Sequence, residues 1–157
     1  SLAVHCVQLT EAGASVLKER GVKICLCPRS NRYLDVGVAP VAMFKKMGIP
    51  LCIGTDSLAS NNTLSLWDEI RFALDEYGGE LSPEELLQMA TEGGASGICL
   101  SEAAGLLAPG RRADFQVVET GTRCSAELLV DRGGAALVAL AGNLQRYAGC
   151  AYFEEAR

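Results

Sequence analysis

Leu51-Cys52-Ile53-Gly54-Thr55-Asp56-Ser57-Leu58-Ala59-Ser60-Asn61-Asn62 is the stretch that decides how the rest of the chain is read. Three apolar residues lead through a glycine and a threonine to an aspartate, and a small polar loop follows. This predicts a buried strand that delivers one carboxylate at its C-terminal end, ahead of a helix. In parallel α/β sheets and barrels, ligands and catalytic groups gather at that edge. A carboxylate there costs free energy unless a partner, a metal or hydrogen bonds offset its burial. Ser57, Ser60, Asn61 and Asn62 supply polar groups beside it. From spacing alone, Asp56 either caps the next helix, holds its loop by an Asx turn, or belongs to a reactive site.

Working outward, two more strands share that setting. Ser1 to Cys6 is predicted as a strand, and His5, the only histidine of the chain, stands at its end. Val22 to Cys27 is predicted as another, ended by Pro28. Between them, Thr10 can cap a helix that runs to about Arg20 and stops at Gly21. Arg29 to Gly37 reads as a loop, and Pro40 to Met47 as a short helix stopped by Gly48. The order strand, helix, strand, helix, strand, with near-continuous apolar strands, is the pattern of a parallel sheet buried on both faces.

Leu64 to Tyr77 is predicted as an amphipathic helix, with Leu66, Ile70, Ala73 and Leu74 on one face and Asp68, Glu69 and Arg71 elsewhere. Ser82, Pro83 and Glu85 spell a helix start with a capping box, and that helix is expected to reach about Thr91. Gly93 to Gly105 reads as a short helical segment with turns. The character changes near Pro109. Phe115 to Glu119, Leu128 to Val130 and Ala136 to Ala141 are short strand candidates without intervening helices, the mark of a small antiparallel piece.

The 157 residues suffice for one domain with a real core. A net charge of −5 without a cluster of Lys and Arg argues against a nucleic-acid binder. No apolar run approaches the roughly 20 residues of a membrane span. Seven cysteines, four of them in apolar strand-like runs, predict free thiols in a reducing, cytoplasmic compartment. The first residues lack the basic region and cleavage site of a secretory signal, which agrees with that expectation. Cys25 and Cys27 share a strand face and do not have the spacing of a zinc knuckle.

The chemistry-bearing candidates are few. His5 is either a hydrogen-bonded structural residue or a group able to hydrogen-bond a metal-bound water. Arg29, just after the second strand, either clamps a carboxylate or phosphate of a ligand or pairs with a nearby acid such as Asp35. The dinucleotide fingerprint, the P-loop and the serine-hydrolase elbow are all absent.

Taken together, these motifs are familiar. His5-Cys6 after one strand, Cys27-Pro28-x-Ser30-Asn31 after the next, and Gly54-Thr55-Asp56-Ser57-x-x-Ser60-Asn61 after the third resemble the amidohydrolase superfamily. The nearest branch holds the adenosine-type, S-adenosylhomocysteine, guanine and cytosine deaminases and the triazine chlorohydrolases. Gly105-Leu106-Leu107-x-Pro109-Gly110-x-x-Ala113-Asp114-Phe115 resembles the family's return from barrel to small β-sandwich. The resemblance implies an α/β fold. Residues 1–108 would be strands six to eight, with their helices, of a TIM-type (β/α)8 barrel, and residues 109–157 part of a small β-sandwich domain.

The resemblance also implies roles. Asp56 matches the metal-binding aspartate of the last barrel strand, which accepts a proton from the hydrolytic water. His5 matches the sixth-strand histidine that hydrogen-bonds the water or the substrate. Ser60 matches a substrate-contacting position, and Arg29 would suit a substrate carrying a carboxylate. One divalent metal, Zn or Fe, is implied for an intact enzyme, but the family's other histidine ligands and its glutamate proton shuttle have no counterpart here.

The expectation is therefore the C-terminal portion of a metal-dependent hydrolase that deaminates a ring amidine, as in an aminopurine nucleoside. Alone it should be inactive and hold metal weakly or not at all. A missing N-terminal portion of the same enzyme, a small-molecule substrate and a homo-oligomer are the expected partners, with no nucleic acid and no membrane. Hydrolytic dechlorination and a non-catalytic α/β module are the alternatives.

Overall fold

In the computed structural model, residues 1–120 and 124–132 are described throughout, and 137–140 and 143–146 by their backbone. The first half builds a parallel sheet. Its elements are β1 (Leu2–Val4), α1 (Glu11–Glu19), β2 (Lys23–Leu26), α2 (Pro28–Tyr33), α3 (Val41–Met47) and β3 (Leu51–Ile53). The strand order is β1-β2-β3, with Val4 opposite Cys25 and Cys25 opposite Cys52. Local chemistry sets the ends of the helices. Thr10 Oγ1 accepts the Gly13 amide at 3.3 Å to start α1. Gly48 ends α3 in the left-handed conformation, at φ 67°, which a side chain would strain.

One difference from the sequence reading matters for the site. Arg29 to Gly37 was expected as a loop, yet Pro28–Tyr33 is helical. Pro28 occupies the first turn, where its fixed φ suits a helix and its missing N–H costs nothing. Pro-Arg-Ser-Asn-Arg-Tyr carries no apolar periodicity, so this turn is held by its neighbours and is invisible to pattern reading. The expected burial on both faces is met fully on one face and in part on the other. Ile24 and Leu26 of β2 are fully buried, whereas Lys23 and Cys25 on its other face are partly exposed. α1 and α3 cover one face, packing Ala14, Val41 and Phe44 against Ile24 and Leu26, while the later helix at Gly94–Gly97 lies over only part of the other, where Gly97 approaches Leu2 and the buried Cys52.

Ser65 caps α4 (Leu66–Tyr77). The predicted capping box is present at α5 (Pro83–Gln88): Ser82 Oγ accepts the Glu85 amide at 3.2 Å and Glu85 Oε2 accepts the Ser82 amide at 2.8 Å. Instead of an α-helix continuing to Thr91, a π-helical turn spans Met89–Gly93 and leads to α6 (Gly94–Gly97). The backbone here lies against β3, and a Cβ on Gly93 would sit 2.6 Å from the Leu51 carbonyl oxygen.

The remaining elements are β4 (Phe115–Val117), α7 (Ala126–Arg132), β5 (Leu137–Leu140) and β6 (Asn143–Arg146). β4, β5 and β6 form an antiparallel sheet in that order. Leu128 to Val130, expected as a strand, lies inside α7. Ser125 Oγ accepts the Leu128 amide at 3.3 Å, and Val130 is buried while its carbonyl accepts from Arg71 Nε at 2.9 Å. The strand expected over 136–141 is β5, its first and last positions lying outside the described residues, as does Cys150. Among the described residues no helix is long and apolar enough to cross a membrane.

Candidate active site

The C-terminal ends of the three parallel strands carry the candidate residues. His5 follows β1 with φ 66°, and Cys6 follows with φ 53°. The Cys6 amide donates to the Val4 carbonyl at 2.8 Å, closing a tight three-residue turn around His5, and the His5 amide donates to Cys25 O at 2.9 Å. Left-handed backbone costs a non-glycine residue roughly 1–2 kcal/mol. Such strain persists where surrounding contacts over-determine it, often at functional sites. Here it turns the imidazole across the strand ends. His5 Nδ1 lies 2.8 Å from Asn31 Oδ1, and Nε2 lies 3.6 Å from Asp56 Oδ2. Donation from Nδ1 to Asn31 fixes the ring so that Nε2 faces the carboxylate. That gap suits a proton donor or a cation.

Asp56 also has left-handed backbone, at φ 59°. It is not the helix cap, which is Ser65. Its Oδ2 accepts from Ser30 Oγ at 2.7 Å and from Ser60 Oγ at 2.8 Å, and the two hydroxyls lie 2.9 Å apart. The Ser30 hydroxyl, then that of Ser60, hold the Asp56 carboxyl below its usual range against the effect of burial, with the Ser57 backbone amide and then His5 weaker contributors. Asp56 is therefore an ionised acceptor, gripped on one oxygen and partly open to solvent.

The structure gathers His5, Asp56 and Ser60, and adds Ser30 and Asn31 from the unexpected helix α2. Ser60 is buried and its hydroxyl is committed to Asp56. Arg29 turns elsewhere. Its guanidinium donates to Asn62 Oδ1 and faces Asp68 at 3.9 Å, so its partners are on α4 and the loop before it, not Asp35. The reason is α2 itself, whose first turn points this side chain away from the strand ends.

Sequence reading missed Glu69, which it placed on the polar side of α4. Glu69 is fully buried. The available signal was its position three residues after Leu66 and four before Ala73, on the apolar stripe. Burial pushes its carboxyl up, partly countered by hydrogen bonds from the Arg29 amide and Asn61.

The donor set falls short of a complete metal site. Asp56 is an anionic ligand candidate and His5 Nε2 a second donor 3.6 Å away. Among the described residues no group of three or more His, Cys, Asp or Glu side chains could hold a metal ion. A catalytic zinc commonly takes three protein ligands and a water, so these residues do not fit a catalytic zinc by themselves. The strand cysteines do not help. Hydrogen bonding to Cys27 pushes the Cys25 thiol up to about 12, and Cys25 raises that of Cys52.

Comparison with known proteins agrees with this geometry. Residues 1–145 match the model of the amidohydrolase family. A 5-methylthioadenosine/S-adenosylhomocysteine deaminase of Desulforudis audaxviator is 42% identical over 119 residues, covering 72% of this chain and 28% of that protein. A 5'-deoxyadenosine deaminase of Methanothermobacter thermautotrophicus is 38% identical over 126 residues, covering 76% of this chain and 29% of that protein. The crystal structure of an adenosine deaminase from Xanthomonas campestris with bound zinc superposes with a TM-score of 0.82 at 31% identity, covering 91% of this chain and 36% of that one. This chain thus spans under a third of the length of those two curated relatives, and it belongs to the amidohydrolase family.

Proposed function

We propose that this chain contributes one side of the active site of a hydrolase that deaminates a ring amidine in an adenine-type nucleoside. The observation that carries the reading is the pair of His5 and Asp56 on two parallel strand ends, 3.6 Å apart, with Asp56 held ionised by two hydroxyls. The names of the related deaminases supply the substrate class.

The reaction replaces an exocyclic amino group by a carbonyl oxygen, consumes one water and releases ammonia. Asp56 is the acceptor suited to take a proton from that water. His5 Nε2 faces the same space and orients what occupies it. Ser30 and Ser60 keep Asp56 ionised and aimed.

The divalent ion, Zn or Fe, and its remaining histidine donors belong in this reading to a further portion of the enzyme, which pairs with the sheet edges at β1 and β3. β1 to β3 would be barrel strands six to eight, with the barrel part over residues 1–108 and part of a β-sandwich over 109–157. A small-molecule substrate, self-association through these edges where that portion is absent, and a cytoplasmic location complete the reading. Free thiols at Cys6, Cys25, Cys27, Cys52, Cys99 and Cys124 support that compartment.

The test is ammonia release from adenosine, 5-methylthioadenosine and S-adenosylhomocysteine. It compares the 157-residue chain alone with the same chain joined to a histidine-bearing N-terminal portion from a relative. Chelator-sensitive release only in the joined protein is the expected outcome. Turnover by the chain alone, or zinc-loaded joined protein inert on all three nucleosides, overturns the reading.

A further inference from the structure

A single buried carboxylate stands behind the Asp56 site. Glu69 Oε1 accepts the Arg29 backbone amide at 2.9 Å, and Arg29 immediately precedes Ser30. Glu69 Oε2 accepts from Asn61 Nδ2 at 3.0 Å, and Asn61 immediately follows Ser60. The second Asn61 Nδ2 hydrogen goes to the carbonyl of Thr55 at 2.9 Å, and Thr55 immediately precedes Asp56. The two oxygens of one side chain therefore tether a direct chain neighbour of each hydroxyl that grips Asp56, and through Asn61 a neighbour of Asp56 itself. Glu69 touches none of the three.

We infer that Glu69 is a positioning residue, which holds Ser30 and Ser60 in register on Asp56 Oδ2 and so sets the orientation of the reactive carboxylate. The inference rests on Asp56 being that carboxylate.

The chemistry explains why the position needs a carboxylate. Glu69 meets two donors, an amide N–H and an amide NH2, and only a group with two acceptor oxygens satisfies both. Glutamine has nearly the same shape but offers one oxygen. It can accept from Arg29, and then its own NH2 opposes the Asn61 NH2. If Asn61 rotates to relieve this, its oxygen opposes the Thr55 carbonyl. One arm must give way whichever arrangement is adopted, while the volume in the core is unchanged.

The two arms also act on different hydroxyls. Asn61→Ala removes the tether beside Ser60 and beside Thr55, and leaves Glu69 on Arg29.

The experiment is the crystal structure of the 157-residue chain as wild type, Glu69→Gln and Asn61→Ala, with melting midpoints taken alongside. Glu69→Gln is expected to lose at least one of the two serine contacts to Asp56 while remaining folded. Asn61→Ala is expected to lose the Ser60 contact and keep the Ser30 contact. Both contacts surviving in Glu69→Gln overturns the inference, as does an intact Ser60 contact in Asn61→Ala. If Glu69→Gln does not fold, Asn61→Ala decides alone.

In the joined enzyme, Glu69→Gln is expected to lower kcat by about 10–100-fold with KM unchanged, the size typical of partners one step removed from a metal site. A parallel rise in KM with kcat unchanged would mark a general structural role and overturns the inference. The crystallographic arm is independent of turnover, so an inert joined enzyme refutes the deaminase reading and not the role of Glu69.

Discussion

The grip of Ser30 and Ser60 on Asp56 gives a prediction with a size and a sign. Each hydroxyl donates to an ionised carboxylate, at 2.7 and 2.8 Å. Hydrogen bonds to charged groups contribute about 1.5–3 kcal/mol. The Asp56 side chain is 31% exposed, so solvent screens part of this and the low end applies, about 1.5 kcal/mol for either serine. In a domain of this length that corresponds to about 3–6 °C in melting midpoint. Because the folded carboxyl is depressed, its contribution is fully present above the unfolded value of about 3.9 and is lost as pH falls through the lower folded value. Urea denaturation of wild type, Ser30→Ala and Ser60→Ala at pH 7, 5 and 3 reads both features. The deficit of each variant should be steady from pH 7 to 5 and shrink towards pH 3. The two hydroxyls share one acceptor and lie 2.9 Å apart, so removing one lets the other donate fully. The double variant should therefore lose more than the sum of the singles. Deficits that do not change with pH, or a neutral Ser60→Ala, would refute the reasoning.

Other outcomes follow from the same structure. Glu69 has the opposite sign: its raised carboxyl favours the folded state most below the unfolded glutamate value, and this is lost as pH rises. The stability deficit of Glu69→Gln should accordingly narrow from about pH 4 to 7 in the same urea series, the lower limit lying near the reference glutamate value. Gly93→Ala places a methyl 2.6 Å from the Leu51 carbonyl oxygen, where the neighbour is backbone and cannot swing aside. Overpacking of that kind costs about 1–3 kcal/mol, measurable by thermal denaturation. Phe44→Ala empties a fully buried position between α3 and the sheet and should cost about 3–5 kcal/mol by urea midpoint.

Much of the frame was legible because its signals are local. Thr10, Gly48, Ser82 with Glu85, and the apolar runs into β1, β2 and β3 each act within a few residues, so their chemistry can be read along the chain. The placement of His5 and Asp56 at the ends of the two outer strands, β1 and β3, followed from the same runs. The helix α2, the strand-to-helix change over 128–130 and the π turn at Met89–Gly93 were not legible. Nothing in their local propensity demands them, and contacts distant in sequence decide them.

The site divides the same way. Sequence alone determined which residue types stand at the strand ends: one imidazole, one carboxylate and a loop of small polar side chains. Only the tertiary structure decided how they are used. It turned Arg29 towards Asp68 and Asn62, bent His5 across the sheet to face Asp56, and closed both serines on one carboxylate oxygen. It also buried Glu69 behind them. The physical reason is that strand ends and caps depend on near neighbours. The direction of a side chain and the protonation of a carboxyl depend instead on atoms within a few ångströms, supplied here from four residues away by Ser60 and from 26 to 40 away by Ser30, Asn31 and Arg29.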